Sequence, residues 1–288
     1  INALADDPQF SPLLGMLRET EPALHVNVRQ HLKSHLRYRL HSWRRGNASA
    51  VNQAMFSLLE ISGRVVADLR WPWHRKRVTP AIQSQLREIL LPGDVLISRH
   101  DDAASNLFLP GYWIHASLHI GSDEHRRELA VDVDAQRATR WIEPIRVLEA
   151  RKDGVRLRPL HDTLGVDAVT VIRPRLERTH LAQGVSRALT HEGKLYDFEF
   201  DLFRSDRLVC TEVVYRAFDG LGPIRFQPKP RAGRMTISAE DLIDMALRGD
   251  GFDPIAVVGA PGCRRKIVTG RRMMKVLQRA KRRQSRNR

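Results

Sequence analysis

Apolar residues recur at helical spacing through the first third of the chain. Two stripes at spacings of three and four are present: Leu32, Leu36, Leu40 and Trp43 in the first, and Val51, Met55, Leu58, Leu59, Val65, Val66 and Leu69 in the second. Side chains at these spacings share one face of an α-helix. Thr79-Pro80 then reads as a cap with proline at the first helical position of a third helix. The pattern predicts a helical N-terminal extension over residues 1–90.

Residues 91–263 change to short segments that are typical of strands. Pro92-Gly-Asp is a turn signal, and alternation or β-branched content marks segments at 95–98, 113–120, 128–135, 154–159, 168–172 and 252–258. Helical spacing returns at 177–191 and again after Ser238, whose hydroxyl and following acidic residues are typical of a helix start. Strands that cluster between helices, without regular βαβ alternation, predict an α+β fold.

The segment 207–220 carries the strongest chemical signal. Its apolar stripe consists of Val209, Val213, Val214 and Phe218. This spacing predicts a helix that ends at Gly220, and Cys210 lies in its first turn. The positive end of the helix dipole and the free backbone N–H groups lower the pKa of a thiol at this position. Cys210 is therefore either a nucleophile or a small buried residue of the core.

A cysteine nucleophile needs a histidine base, which is usually distant in sequence. The candidate is His115, which lies in the predicted strand 113–120 and is followed by the acid-bearing segment Leu129–Ala135. A histidine on one strand, a carboxylate on the next and a cysteine at the start of a helix are the parts of a papain-like site. Here the histidine precedes the cysteine, which is the reverse of papain's order.

Three segments in the middle of the chain carry specific motifs. Residues 91–98 read LPGDVLIS, residues 115–121 read HASLHIG, and residues 193–214 begin with GKLYDFEFD and end with VCTEVV. Their order and spacing resemble those of the circularly permuted NlpC-type papain-like hydrolases of the YiiX kind, with His119 where that family usually has Tyr. The resemblance implies a permuted papain-like fold with an antiparallel sheet over residues 91–263.

The resemblance also implies roles for individual residues. Cys210 would attack a carbonyl carbon and form a thioester, and His115 would take up the thiol proton and later protonate the leaving group. Tyr196, in the YDF segment, is either a hydrogen-bond donor near the oxyanion or a packed aromatic residue. The substrate class stays open, because relatives with this arrangement act on cell-wall peptide amides or on lipid acyl groups. No cofactor is expected.

A third residue should orient the imidazole of His115 and determine its tautomer. Asp132 and Asp134 lie two positions apart, so both would face the same side of a strand. Matching Val133-Asp-Ala135 to the family's hydrophobic-Glu-Ala pattern favours Asp134. A metal site that combines His115 with His119 is disfavoured, because positions i and i+4 of a strand are about 13 Å apart.

Charge is distributed unevenly along the chain, which carries a net charge of +15. Residues 92–263 hold 23 Lys and Arg against 26 Asp and Glu, whereas the basic C-terminal tail, residues 264–288, holds 12 basic residues and no acidic one. Basic flanks around a nearly neutral centre point to an anionic surface as partner, such as a membrane. The alternative for the tail is a solvated, disordered segment with no partner. Nucleic acid is disfavoured because the tail has few aromatic residues that could stack on bases. The alternative to an enzyme is an inactive hydrolase fold that binds such partners through its flanks.

Overall fold

The computed structural model describes residues 76–101, 111–131, 133, 144–198, 200, 202–231, 234–263 and 265–285. The two amphipathic helices predicted at residues 32–43 and 51–69 lie outside these residues. None of the helices in the described part of the chain is both long enough and apolar enough to cross a membrane.

An antiparallel sheet of six strands lies at the centre of the described structure. Its strands are β1 (Val95–Arg99), β2 (His115–His119), β3 (Ile145–Arg151), β4 (Gly154–Pro159), β5 (Ala168–Pro174) and β10 (Phe252–Val258). They lie side by side in the order β10-β5-β1-β2-β3-β4, and every neighbouring pair is antiparallel. Two smaller sheets pair β6 (Leu195–Tyr196) with β7 (Arg207–Leu208), and β8 (Lys229–Arg231) with β9 (Arg234–Thr236).

Helices cover both faces of this sheet. They are α1 (Pro80–Ile89), α2 (Asp123–Glu128), α3 (Leu160–Thr163), α4 (Arg178–Leu189), α5 (Cys210–Phe218), α6 (Ala239–Arg248) and α7 (Gly270–Ser285). Side chains alternate between the two faces of a strand, so Val95 and Ile97 of β1 join the core beneath α4, α5, α6 and α7. Leu96, between them, joins a second core with Leu86 of α1. The result is a three-layer arrangement, and its α+β class with an antiparallel sheet confirms the prediction from sequence.

The packing extends the folded unit on both sides of the predicted domain, residues 91–263. On the N-terminal side, α1 buries Ile82 and Leu86 against the sheet, although the sequence assigns this segment to the extension. On the C-terminal side, α7 belongs to the same core as α5 and α6. Its buried stripe consists of Met273, Val276, Leu277 and Ala280. The apolar residues of the predicted tail are therefore core residues, because their helical spacing gives α7 a face that packs against α6 and β10.

Most predicted elements are present, but the strand predicted at 128–135 is wrong in its described part. Residues 123–128 form α2, and residues 129–130 form a turn after it. Ser122 starts this helix, since its Oγ accepts a hydrogen bond from the His125 amide at 3.2 Å. The strand that pairs with β2 on the side away from β1 is instead β3, which lies further along the chain and which the alternation pattern did not reveal.

Candidate active site

Cys210 is the first residue of α5. The preceding residue, Val209, is extended, and its amide donates a hydrogen bond to Glu212 Oε2 at 3.2 Å. A glutamate three residues into a helix commonly satisfies a free amide in this way, so Glu212 stabilises the start of the helix that carries the thiol. Cys210 is a free thiol with 8% of its surface exposed.

His115 is the first residue of β2, and its ring lies between the thiol of Cys210 and a carboxylate. The ring is hydrogen-bonded to the thiol, and its Nε2 lies 2.8 Å from Oε2 of Glu149 on β3. With Nε2 facing the carboxylate, Nδ1 is the ring nitrogen left to face the thiol. β2 pairs with β3 through Leu118 and His119, so His115 lies beyond the stretch that the two strands share. The helix α5 packs against both strands.

Electrostatic interactions favour a charged thiolate and imidazolium. Burial acts to raise the pKa of Cys210, but the charge of His115 and its hydrogen bond outweigh burial, so this pKa lies below its usual value. The backbone amides of Ala116 and Thr211 lower it further. Burial acts in the opposite direction on His115 and lowers its pKa, yet the charges and hydrogen bonds of Cys210 and Glu149 raise it to about 9.

Glu149 is completely buried, and four neighbouring side chains pair with its carboxylate. Its Oε1 lies 2.7 Å from Arg151 Nη2 and 3.2 Å from Arg158 Nε, and it accepts a hydrogen bond from Thr163 Oγ1 at 3.2 Å. Burial acts to raise the pKa of Glu149, but the hydrogen bond and charge of His115, together with the two arginines, lower it below the usual value. The imidazole therefore faces a fixed negative charge.

Among the described residues, the acid that contacts His115 is Glu149, which the sequence analysis does not propose. Asp134 and Asp132 lie outside the described residues, so the prediction for Asp134 stays a prediction. Glu149 was missed because the acid was sought in the segment 129–135, whereas Glu149 lies on β3. The signal was present, since Leu148-Glu149-Ala150 matches the family's hydrophobic-Glu-Ala pattern letter for letter, whereas Val133-Asp-Ala135 matches it only approximately.

Tyr196 lies at the end of β6, close enough to Cys210 for the charge of the thiolate to act on its hydroxyl. Its ring packs edge-on against Phe198 and Phe200, with centroid distances of 4.9 and 6.4 Å. Burial, together with the charge at Cys210, raises the pKa of Tyr196 well above its usual value. The hydroxyl therefore keeps its proton over the physiological pH range and can donate a hydrogen bond.

His119 lies away from this site, at the other end of β2. It is 2% exposed, and its Nδ1 lies 2.9 Å from the carbonyl oxygen of Leu91. Burial lowers its pKa to about 4, so the ring is neutral and packs as part of the fold. Among the described residues, no group of three or more His, Cys, Asp or Glu side chains is arranged to hold a metal ion.

Comparisons with known proteins identify the family. A family model described as permuted papain-like amidase enzyme, YaeF/YiiX, C92 family, matches residues 90–261, well over half of the chain. The solved structures include a match to the crystal structure of metalloprotein yiiX from Escherichia coli O157:H7, at 17% identity, with 67% of this chain and 93% of that chain covered and a TM-score of 0.37. No curated protein matches the chain significantly. The family match confirms the resemblance carried by the three sequence motifs, and the chain belongs to the C92 family of permuted papain-like amidases.

Proposed function

We propose that this protein cleaves a carboxylic amide or ester with Cys210 as nucleophile, His115 as general base and acid, and Glu149 as the residue that orients the imidazole. Membership of the papain-like amidase family makes the protein a cysteine hydrolase in general terms. The assignment of roles is supported by the continuous line of contacts from the thiol to the ring and from the ring to a buried carboxylate. This is the arrangement of nucleophile, base and orienting group that covalent acyl transfer requires.

The reaction follows from these positions. The Cys210 thiolate attacks the carbonyl carbon, and a carbon–sulfur bond forms as the carbonyl electrons move to oxygen. The imidazolium of His115 donates its proton to the leaving nitrogen or oxygen, which departs and leaves a thioester. Neutral His115 then takes a proton from water, whose oxygen attacks the thioester. Collapse of this second intermediate releases the carboxylic acid and returns the thiolate and imidazolium.

The oxyanion that forms in both steps needs hydrogen-bond donors. The backbone N–H of Cys210 is one, because the first amides of a helix have no partner within it. The Tyr196 hydroxyl is the second candidate, since it interacts electrostatically with the thiol and keeps its proton. Tyr196→Phe should therefore slow turnover while leaving thiol alkylation by iodoacetamide unchanged, which would separate a role toward the oxyanion from one in packing.

The proposed function is tested first by the pH dependence of iodoacetamide labelling at Cys210. In the wild type, labelling should begin well below pH 8.5, the unperturbed value for a thiol, because thiolate is the reactive species. His115→Ala should move the midpoint upward toward that value or beyond. Mass spectrometry distinguishes labelling at Cys210 from labelling at Cys263, which is also a free buried thiol. An ordinary midpoint in both proteins would remove the nucleophile and with it the proposed function.

Peptide amides and lipid acyl groups are both candidate substrates, because attack on either uses the same carbonyl chemistry. A panel of each, assayed with wild type and Cys210→Ala, assigns the class by the substrate that only the wild type cleaves. Trapping the acyl group on Cys210 and reading its mass would identify the acyl side of the scissile bond.

A binding function of a second kind is favoured by the surface of α7. The exposed residues of this helix include Arg271, Arg272, Lys275, Arg279 and Arg282. We propose that this basic face docks on an anionic lipid surface. The apolar face of α7 is buried in the core, so the contact would be electrostatic and peripheral and would weaken with salt.

Co-sedimentation with vesicles of phosphatidylcholine, with and without phosphatidylglycerol, tests this docking. Wild type should bind only the anionic vesicles, and the triple variant Arg271→Glu, Lys275→Glu, Arg279→Glu should lose most of that binding. A matched triple variant elsewhere, Arg127→Glu, Lys152→Glu, Arg156→Glu, changes the net charge equally and should bind like wild type. Equal loss in both variants would mean that net charge alone drives binding, and preference for duplex nucleic acid over the vesicles would replace lipid as the partner.

A further inference from the structure

One short segment contacts both the helix of Cys210 and the chain that leads into His115. Glu240, in the first turn of α6, accepts two backbone hydrogen bonds through Oε1, from the amides of Tyr112 at 2.7 Å and Trp113 at 3.0 Å. These amides lie three and two residues before His115. One carboxylate oxygen therefore fixes the backbone immediately before β2, the strand that carries the proposed base.

The other end of this segment, Ile237, is bound to the helix that begins at Cys210. Thr211, the residue after Cys210, is 4% exposed, and its Oγ1 donates a hydrogen bond to the carbonyl oxygen of Ile237 at 2.6 Å. Ile237 lies three residues before Glu240. The distance between the two attachment points is therefore set by a few residues of one chain segment.

This segment is itself rigidly held. The Ser238 amide and hydroxyl both donate to Asp241 Oδ2 at 2.8 Å, and Ser238 Oγ accepts from the Asp241 amide at 3.2 Å. Lys229 and Arg231 clamp the same carboxylate, each at 2.7 Å. A capping box with reciprocal hydrogen bonds leaves the turn little freedom. The turn therefore keeps the distance constant between the two parts of the chain that are bound at its ends.

The chain before His115 approaches Glu240 very closely. A Cβ at Gly111 would lie 2.4 Å from Cγ of Glu240, and the φ of Gly111 is +108°. Glycine at this position lets the backbone pass the Glu240 side chain, so that Oε1 reaches the next two amides.

We propose that the segment Ile237–Asp241 is a positioning bracket that holds Cys210 and His115 at the separation at which they form an ion pair, with Glu240 and Thr211 as its two attachment residues. This inference rests on the proposed function. Neither side chain needs to touch substrate, so both act through the residues that do. A hydrogen-bonded Cys–His pair is sensitive to small displacements, because charge-assisted hydrogen bonds require a short contact.

The test compares variants at each end of the bracket by the pH midpoint of iodoacetamide labelling at Cys210. Glu240→Ala and Thr211→Val should each raise the midpoint by about one unit, which corresponds to roughly tenfold slower labelling at a pH below both midpoints. Glu240→Gln and Thr211→Ser keep the acceptor and the donor, so their midpoints should stay close to that of the wild type. Asp244→Ala removes a carboxylate from the same helix that contacts Lys281 of α7, and it should leave the midpoint unchanged.

Circular dichroism restricts the comparison to folded protein, which matters for Glu240→Ala because it leaves two backbone amides unsatisfied. Thr211→Val is nearly isosteric and keeps the test informative if the first variant does not fold. Midpoints that match the wild type in folded Glu240→Ala or Thr211→Val would overturn the bracket and leave the proposed function intact. An ordinary thiol midpoint in the wild type itself would overturn both.

Discussion

Glu149 bears a negative charge in a completely buried position. A buried carboxylate is costly unless it is paired and hydrogen-bonded, and here His115, Arg151 and Arg158 share that task. In the proposed reaction, the two arginines would keep Glu149 ionised when His115 gives up its proton. Glu149 would therefore remain negatively charged beside the imidazole and would not itself take up the proton of His115.

Replacing Glu149 with Gln should lower the pKa of His115 from about 9 toward its ordinary value, because a neutral amide no longer stabilises the imidazolium. Loss of the imidazolium charge also raises the pKa of Cys210, so labelling at a pH below the thiol midpoint should slow by roughly tenfold for each unit by which this pKa rises. NMR titration of the His115 ring and the labelling profile measure the two effects.

Two further variants make this result specific. Asp153→Asn removes the other carboxylate that contacts Arg158 and should leave the pKa of His115 unchanged. Asp134→Asn tests the acid predicted from sequence in the same assay. If Asp134→Asn lowered the pKa of His115 and Glu149→Gln did not, the orienting role would pass to Asp134.

Among the helices and strands, α7 has two different faces, one buried and apolar and the other exposed and basic. Its buried stripe completes the core next to α6 and β10, while the exposed side chains described for residues 271–282 are polar or basic. A run of basic residues is compatible with a core helix because the apolar residues recur every three or four positions. The high charge of the segment therefore does not prevent it from folding.

Truncating a buried residue of α7 should destabilise the whole protein. Leu277 is fully buried, so Leu277→Ala should reduce the free energy of unfolding by about 2–5 kcal/mol. Arg279→Ala, on the exposed face of the same helix, should change it by less than about 0.5 kcal/mol. Urea unfolding followed by circular dichroism measures both. Equal, small changes would show that α7 is not part of the cooperative core.

For the whole molecule, the opposed pKa shifts of Cys210 and His115 predict the pH range of the proposed activity. The pKa of the thiol is lowered and that of the imidazole is raised to about 9. Between these values the ion pair exists, with a nucleophile ready to attack and a proton ready for the leaving group. Below the range the thiolate is protonated, and above it the imidazolium has lost the proton that an amine leaving group needs.

Amide cleavage should therefore fall above about pH 9, the pKa of His115, whereas iodoacetamide labelling should stay high because it needs only the thiolate. A p-nitrophenyl ester is the matching control, since its leaving group departs without a proton, and its rate of acylation should not fall in this range. Parallel profiles for all three reactions would contradict His115 as the general acid.

Local patterns in the sequence determined much of the architecture. The helix that begins at Cys210, the helix capped by Ser238 and the strands β1, β4 and β10 follow from residues close together in the chain. Hydrophobic spacing and caps act within one or two turns or along one strand, so no tertiary information is needed to find them. The match of three motifs to a family added the topology and the pairing of Cys210 with His115.

Tertiary structure alone decided which carboxylate meets His115 and what the basic C-terminal segment does. Glu149 reaches the ring because β3, 34 residues further along the chain, lies beside β2 in the sheet, and strand neighbours are not encoded by local spacing. The stripe of α7 is visible in the sequence, but whether it faces the core or a partner depends on the surface that α6 and β10 offer it. The contacts of Glu240 and Thr211 likewise join segments that only the fold brings together.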